Sequence, residues 1–315
     1  MTKFKPADLT RLHRSEARER SSLVDVKRFA HPPGRRDDAG AFLKKLPGFL
    51  KADDWRVLLD KIDAAHRRGK PIFWFLGAHV LKCGLSPIVI DLLNLGLADL
   101  VAFNGAGAIH DLEIAFLGKT SEDVAASLKT GQFGMAKDTA QWFAAGTEVA
   151  GSEGLGLGEG IGKFINRSRA PHKRHSVLAQ AFKSNRPALV FPAIGAEIVA
   201  QHPEYDAALV GAAAHLDFRI LAAQCARLNN GGVVLHFGSA VILPEVFLKA
   251  LSVARNQRRV ENFTTANFDM IQHYRPNVNI VSRPTQSSGR GFTFTGHHEL
   301  MLPLLAWSIK ARLRV

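Results

Sequence analysis

Two rhythms of apolar residues alternate along the chain. Short unbroken apolar runs closed by small residues read as strands buried on both faces: Pro71–Gly77, Leu100–Phe103 ending at Asn104, Ala188–Pro192, and the glycine-led Gly231–Gly238. Phe263–Ala266 and Phe292–Thr295 are further strand candidates. Between them, apolar residues recur every three or four positions and predict helices. One pair begins at Ala41 (Phe42, Leu43, Leu46, Phe49, Leu50) and resumes at Trp55 (Leu58, Leu59, Ile62, Ala65). Others run over Leu85–Leu95, from Ile109, over Ser121–Leu128 with Ser121 as cap, over Asp217–Leu228, from Pro244, and over Leu300–Leu313. Strand–glycine–helix units in this order predict an α/β fold, a doubly wound, mostly parallel sheet with an N-terminal helical arm. Residues 1–70 form the arm and its helices, with a short helix expected between Leu12 and Val26, and 71–315 form the sheet domain.

The turns carry the chemistry. In Ala98–Glu113 a buried run meets Gly105-Ala106-Gly107 and opens a helix, which leaves free N–H groups facing an anion such as a phosphate. On its own the Gly-Ala-Gly spacing fits a tight connection equally well. Residues 151–162 hold six glycines and read as a flexible surface insertion.

Composition narrows the class. Of 315 residues, 46% are hydrophobic and 22% charged, ordinary for a globular enzyme. Neither a signal peptide nor a membrane span is expected, and two cysteines, Cys83 and Cys225, suit a reducing cytoplasm. Forty-one Lys and Arg against 28 Asp and Glu give +13, but the basic clusters are short and lack interleaved aromatics, so nucleic acid is not the expected partner.

The collinear order of several blocks resembles the deoxyhypusine synthases: Phe75-Leu-Gly77, Asn104–Ala108 with Asp111-Leu112, Phe191-Pro-Ala193, Asp217-Phe-Arg219, Gly231–Val234 with His236, Thr265-Ala266 with Phe268-Asp269, Arg275-Pro276 and Leu302–Leu305. The resemblance implies a Rossmann-like, NAD-dependent enzyme, usually tetrameric with sites between subunits, acting on spermidine or another cationic amine. It implies NAD along Gly77, His79, Gly105, Gly107, Gly231, Gly232, Thr265, Ala266 and His297. It places His236 beside the reacting amine, and Glu197 and Asp269 on its ammonium groups.

The departures are specific. The family's nucleophilic lysine has no counterpart, because no lysine occurs between Lys249 and Lys310, and the guanidinium of Arg283 forms no imine. Two glutamates after the first glycine turn are replaced by Ile109 and His110. The reading is therefore NAD-dependent dehydrogenation of an amine, with its fragment released or passed on without a lysine-bound imine. The alternative is a silent relative that serves as a cofactor-binding or oligomeric interaction protein. Adjacent histidines in Gly296-His-His-Glu299 do not have the spacing of a helical metal motif, so no metal is expected.

Overall fold

The computed structural model describes residues 2–313. Six parallel strands form one sheet: β1 (Ile72–Leu76), β2 (Leu100–Asn104), β3 (Ala188–Phe191), β4 (Val233–Phe237), β5 (Thr264–Asp269) and β6 (Arg290–Thr295). Their order is 3-2-1-4-5-6. All five pairings are parallel, so the sheet is wholly rather than mostly so. The two innermost strands, β1 and β4, are apolar but for His236 because both faces are covered. Ile72, Trp74 and Leu76 point into one layer, Phe73 and Phe75 into the other.

The first layer holds α2 (Leu50–Arg67), which follows the short α1 (Ala39–Lys45). The helix α2 buries Trp55, Leu58, Leu59 and Ile62 in the main core, so it is part of the sheet's packing rather than an appendage. The same layer contains α3 (Ala78–Lys82), α4 (Ser86–Asn94) and α5 (Gly105–Leu117). Next come the exposed α6 (Val124–Lys129), then α7 (Lys137–Glu153), α8 (Leu157–Arg167) and α9 (Val177–Lys183). Asp123, not Ser121, caps α6, its carboxylate accepting Ala126 N–H at 3.1 Å. The second layer is α10 (Ala207–Cys225) and α11 (Ile242–Gln257). The former begins ten residues before the sequence pattern suggests. A seven-residue π-helix (Pro276–Ser282) then runs into one turn of α12 (Arg283–Thr285), and α13 (His298–Leu313) closes the fold on the first layer.

Two sequence expectations are corrected. No helix spans Leu12–Val26; residues 2–37 are exposed apart from one half-buried position, with only single turns at Leu9–Arg11 and Val26–Arg28. The glycine-rich stretch is no flexible insertion either. It supplies the end of α7 and the first half of α8, and Gly158, Gly160 and Gly162 lie where backbones meet. A Cβ on Gly160 would come 2.5 Å from Ala150 Cβ, and one on Gly158 would come 2.2 Å from the Ala188 carbonyl oxygen. Small residues here let two helices and a strand approach closely. Gly158→Ala, which on helix propensity alone would stabilise by about 1 kcal/mol, is therefore expected to destabilise by about 2–3 kcal/mol, read as a lower urea midpoint at unchanged slope.

Buried carboxylates start two of these helices. Asp111 accepts Ser176 Oγ at 2.5 Å, Val177 N at 2.7 Å and Leu178 N at 3.1 Å at the head of α9, and burial lifts it to about 6. Asp217 on α10 accepts Gly158 N at 2.9 Å and Val190 N at 2.8 Å, tying α8 to β3. Among the described residues, no helix is long and apolar enough to cross a membrane.

Candidate functional site

The strand order makes a topological switch point between β1 and β4, where chain connections leave in opposite directions and α/β enzymes open a crevice beyond the strand carboxyl ends. Gly77 follows β1 there. Its N–H donates to Phe237 O at 2.7 Å, and a Cβ would meet Ser239 N at 2.6 Å, so only glycine allows this approach. Gly238 and Ser239 after β4 both have positive φ, +68° and +64°. For Ser239 that conformation costs on the order of 1 kcal/mol. Ser239 Oγ accepts Leu243 N–H at 3.1 Å at the start of α11, which helps hold the turn.

His236 lies within β4, fully buried. Its Nδ1 is 2.6 Å from Asn267 Oδ1; Asn267 Nδ2 donates to Gln272 Oε1 at 2.8 Å, and Gln272 Nε2 donates to Phe294 O at 3.0 Å. This chain of donors assigns the imidazole proton to Nδ1 and leaves Nε2 as a bare lone pair with no partner. Burial holds its pKa down at about 4, against an upward pull from Asn267 and the Asp269 charge, so the ring is neutral at physiological pH. Asp269 ends β5 and is buried, accepting its neighbour Met270 N–H at 2.8 Å. His298 Nε2 lies 3.9 Å from Asp269 Oδ1, beyond hydrogen-bond range, and its Nδ1 is also without a partner. Burial lowers His298 too, with Asp269 opposing.

A second group gathers at the head of α5. Asn104 Oδ1 accepts Gly107 N–H at 3.1 Å, and Glu197 folds back from the loop after β3 onto Gly105, where a Cβ would stand 2.4 Å from Oε1. Both Glu197 oxygens accept Ala193 N–H at 2.9 Å. Burial raises the Glu197 carboxyl, with the Ala193 N–H opposing. The anion at this helix start is the protein's own. Gly107 is small because the Phe103 ring lies against it, at 2.8 Å from a notional Cβ. Beside Glu197 lies a cavity of about 230 Å³ whose polar lining includes Lys82, His110, Glu113 and Glu122. Glu113 is pushed up by burial, but its contacts with His110, Thr120 and Thr139 outweigh that and hold it below its ordinary range.

The structure thus brings Gly77, His236 and Asp269 to the carboxyl edge near the switch point, with His79 and His297 exposed on its rim. His79 and His298 rings are 5.7 Å apart. Gly105, Gly107 and Glu197 sit further along the same edge. Gly231 and Gly232 do not join them, which corrects the expected cofactor path. They precede β4 at the opposite edge, where Gly231 has φ +124° and a Cβ on Gly232 would stand 2.6 Å from Leu228 Cα. Thr265 and Ala266 are likewise fully buried in the amino-terminal half of β5. Glu197 and Asp269 are also separated. Their strands stand four spacings apart, about 19 Å, and Glu197's reach back to β2 still leaves three.

Asn267 and Gln272 were not legible in the sequence; the one signal was a buried amide in β5, register partner of His236. Cys83 read there only as a free thiol. His79 of α3 and Cys83 at its carboxyl cap lie one helical turn apart, and Glu299 reaches them from the start of α13, their donor atoms all within 4.8 Å of one another.

No family model matches the chain, and no curated protein does. Solved structures match in fold. A putative deoxyhypusine synthase from Entamoeba histolytica is 11% identical over 90% of this chain and 95% of its own, with a TM-score of 0.52. A putative LOR/SDH protein from Methanococcus maripaludis S2 is 14% identical over 90% and 74%, with a TM-score of 0.50. AgrE, in a ternary complex with ornithine and NAD+, is 13% identical over 82% of this chain, with a TM-score of 0.50. The chain spans about a third of AgrE's length. At these identities the likeness is one of fold.

Proposed function

We propose that the chain binds NAD at the β1–β4 crossing and dehydrogenates a cationic amine, releasing or passing on the aminoalkyl fragment without a lysine-bound imine. The observation that carries this reading is the buried, neutral His236, with its unpartnered Nε2 beside Asp269 at the crossing. Gly77 and the Gly238–Ser239 turn, where backbone comes closest, are the residues that would hold the nucleotide. When bound, NAD supplies the hydride acceptor. As hydride leaves the carbon next to nitrogen, His236 Nε2 takes the N–H proton, and the Asp269 carboxylate stabilises the imidazolium formed. Water or an acceptor amine then adds to the imine carbon, and the adduct collapses with cleavage of the original C–N bond, expelling the departing amine and leaving an aldehyde or a new imine. Glu197 binds the cationic end of the amine, with Glu113 and Glu122 adding negative charge to its cavity. A site using both Glu197 and Asp269 on one small amine draws them from two copies of the chain, which supports the tetramer that the resemblance implies.

The NAD fit is divided. The crossing has a bare base and a glycine turn, whereas the α5 cradle is filled by Glu197. That filled cradle favours a second reading, a silent relative kept as a cofactor-binding or oligomeric interaction protein. Incubation with NAD and spermidine, putrescine or agmatine, monitored by NADH absorbance, separates the two. NADH formation supports dehydrogenation; nucleotide binding in a thermal-shift titration without turnover supports the silent, cofactor-binding reading; no binding at millimolar NAD overturns dehydrogenation and leaves only the interaction role. Glu197→Gln, which keeps the shape and removes the charge, is expected to raise the amine KM about tenfold, a loss of about 1.4 kcal/mol, with kcat within twofold.

A further inference from the structure

We propose that His79, Cys83 and Glu299 form a binding site for a divalent transition metal, with zinc the best match. The site is independent of the dehydrogenase reading and uses neither His236 nor Glu197. Its donors are an imidazole, a thiol and a carboxylate, the mixed nitrogen, sulfur and oxygen set that zinc accepts. His79 lies in α3 and Cys83 caps its carboxyl end four residues on, the spacing of one helical face, and the Cys83 N–H bond to His79 O at 3.0 Å fixes that turn. Glu299 enters from the first turn of α13.

The distances suit the ion. In a zinc tetrahedron with bonds of about 2.0–2.3 Å, neighbouring donors stand about 3.4–3.6 Å apart. Cys83 Sγ and Glu299 Oε2 are already 3.6 Å apart, and all three donor atoms fall within 4.8 Å. His79 is exposed, so modest rotation of its ring closes the remaining gap. Three protein donors leave a fourth position open to water, the arrangement of reactive rather than purely structural zinc sites.

The surroundings also favour a cation. His298, buried against His79, has an unpartnered Nδ1 beside the cluster. His297 Nδ1 stands 3.8 Å from Glu299 Oε1, placing it to orient that carboxylate as a neighbour in the outer shell. In the metal-free state the thiol is disfavoured as thiolate, by burial first and then by the Glu299 charge. Metal binding therefore releases one proton: Cys83 S–H and M²⁺ become the metal thiolate and H⁺, with no change of oxidation state.

The test is titration of the reduced, tag-free protein with Co²⁺ and with Zn²⁺ against a chromophoric chelator. One equivalent is expected, with a thiolate-to-cobalt charge-transfer band and a submicromolar zinc Kd. Cys83→Ser removes the band and weakens zinc at least 100-fold; His79→Ala and Glu299→Gln each weaken it at least tenfold. Because Glu299 and His79 are exposed, these two variants are expected to keep the wild-type melting temperature, and they serve if Cys83→Ser misfolds. Binding without the band, or equal affinity in all variants, would be scattered binding among the chain's 13 histidines and would overturn the site.

Discussion

Asp217→Ala is expected to destabilise the fold by about 3–5 kcal/mol, while Asp217→Asn costs less than about 1 kcal/mol. The Asp217 carboxylate oxygen Oδ2 accepts two buried backbone N–H groups, one on α8 and one on β3. Alanine leaves both donors dry and opens a hole at the joint, whereas an amide oxygen accepts both. Burial, its largest cause, raises Asp217 from an ordinary 3.8 to about 8, against the backbone donors. The sign follows directly. The folded state binds the proton more tightly, so this group's contribution is fully present below pH 4 and lost as pH rises through about 8. The stability of Asp217→Asn relative to wild type should therefore grow between pH 4 and 8 in urea titrations. A gap that stays flat over that window would show that the carboxylate is charged in the folded protein.

His236→Gln is expected to lower amine-dependent NADH formation by about 10²–10⁴-fold. The amide can still reach Asn267, so the fold should persist while the base is lost. The wild-type ring titrates near 4 rather than its ordinary 6.5, chiefly because it is buried. Turnover should therefore show no histidine-type inflection between pH 6 and 8. Stability runs opposite to that from Asp217. A depressed folded pKa gives stability that is complete above pH 6.5 and lost as pH falls through about 4, about 3 kcal/mol in all. Loss of the acid-side slope in His236→Gln, followed by denaturant titration, checks the assignment. Turnover equal to wild type would remove His236 from the chemistry.

Strands β1 to β4 were legible because a parallel strand covered on both faces is apolar along most of its length, as in Ile72–Leu76 and in Val233–Phe237, where His236 is the one polar residue. Glycine was less informative. A glycine turn at the amino end of a strand looks the same in sequence as one at the carboxyl end, so Gly231–Gly232 were grouped with Gly77 although a whole strand separates the two ends. Within 151–162, Gly158, Gly160 and Gly162 mark close backbone contact, and nothing in their spacing tells contact from flexibility; the contacted atoms belong to Ala188, Ala150 and Leu178, which only the fold brings against them. Side-chain meetings were the least legible. His79 and Cys83 share a readable spacing, but Glu299 comes from more than two hundred residues further on.

Glu197 behaves as a tethered counter-ion for α5. A free phosphate arriving there competes with a carboxylate on the same chain, whose effective concentration is of millimolar order for a short tether. The site thus works like an ion exchanger whose resident ion leaves only when engaged elsewhere. A cationic amine in the neighbouring cavity is such an engagement. Drawing Glu197 towards it would clear the space over Gly105 where its Oε1 now lies, so an amine in the cavity and an anion at the head of α5 would each strengthen the other's binding through one mobile charge.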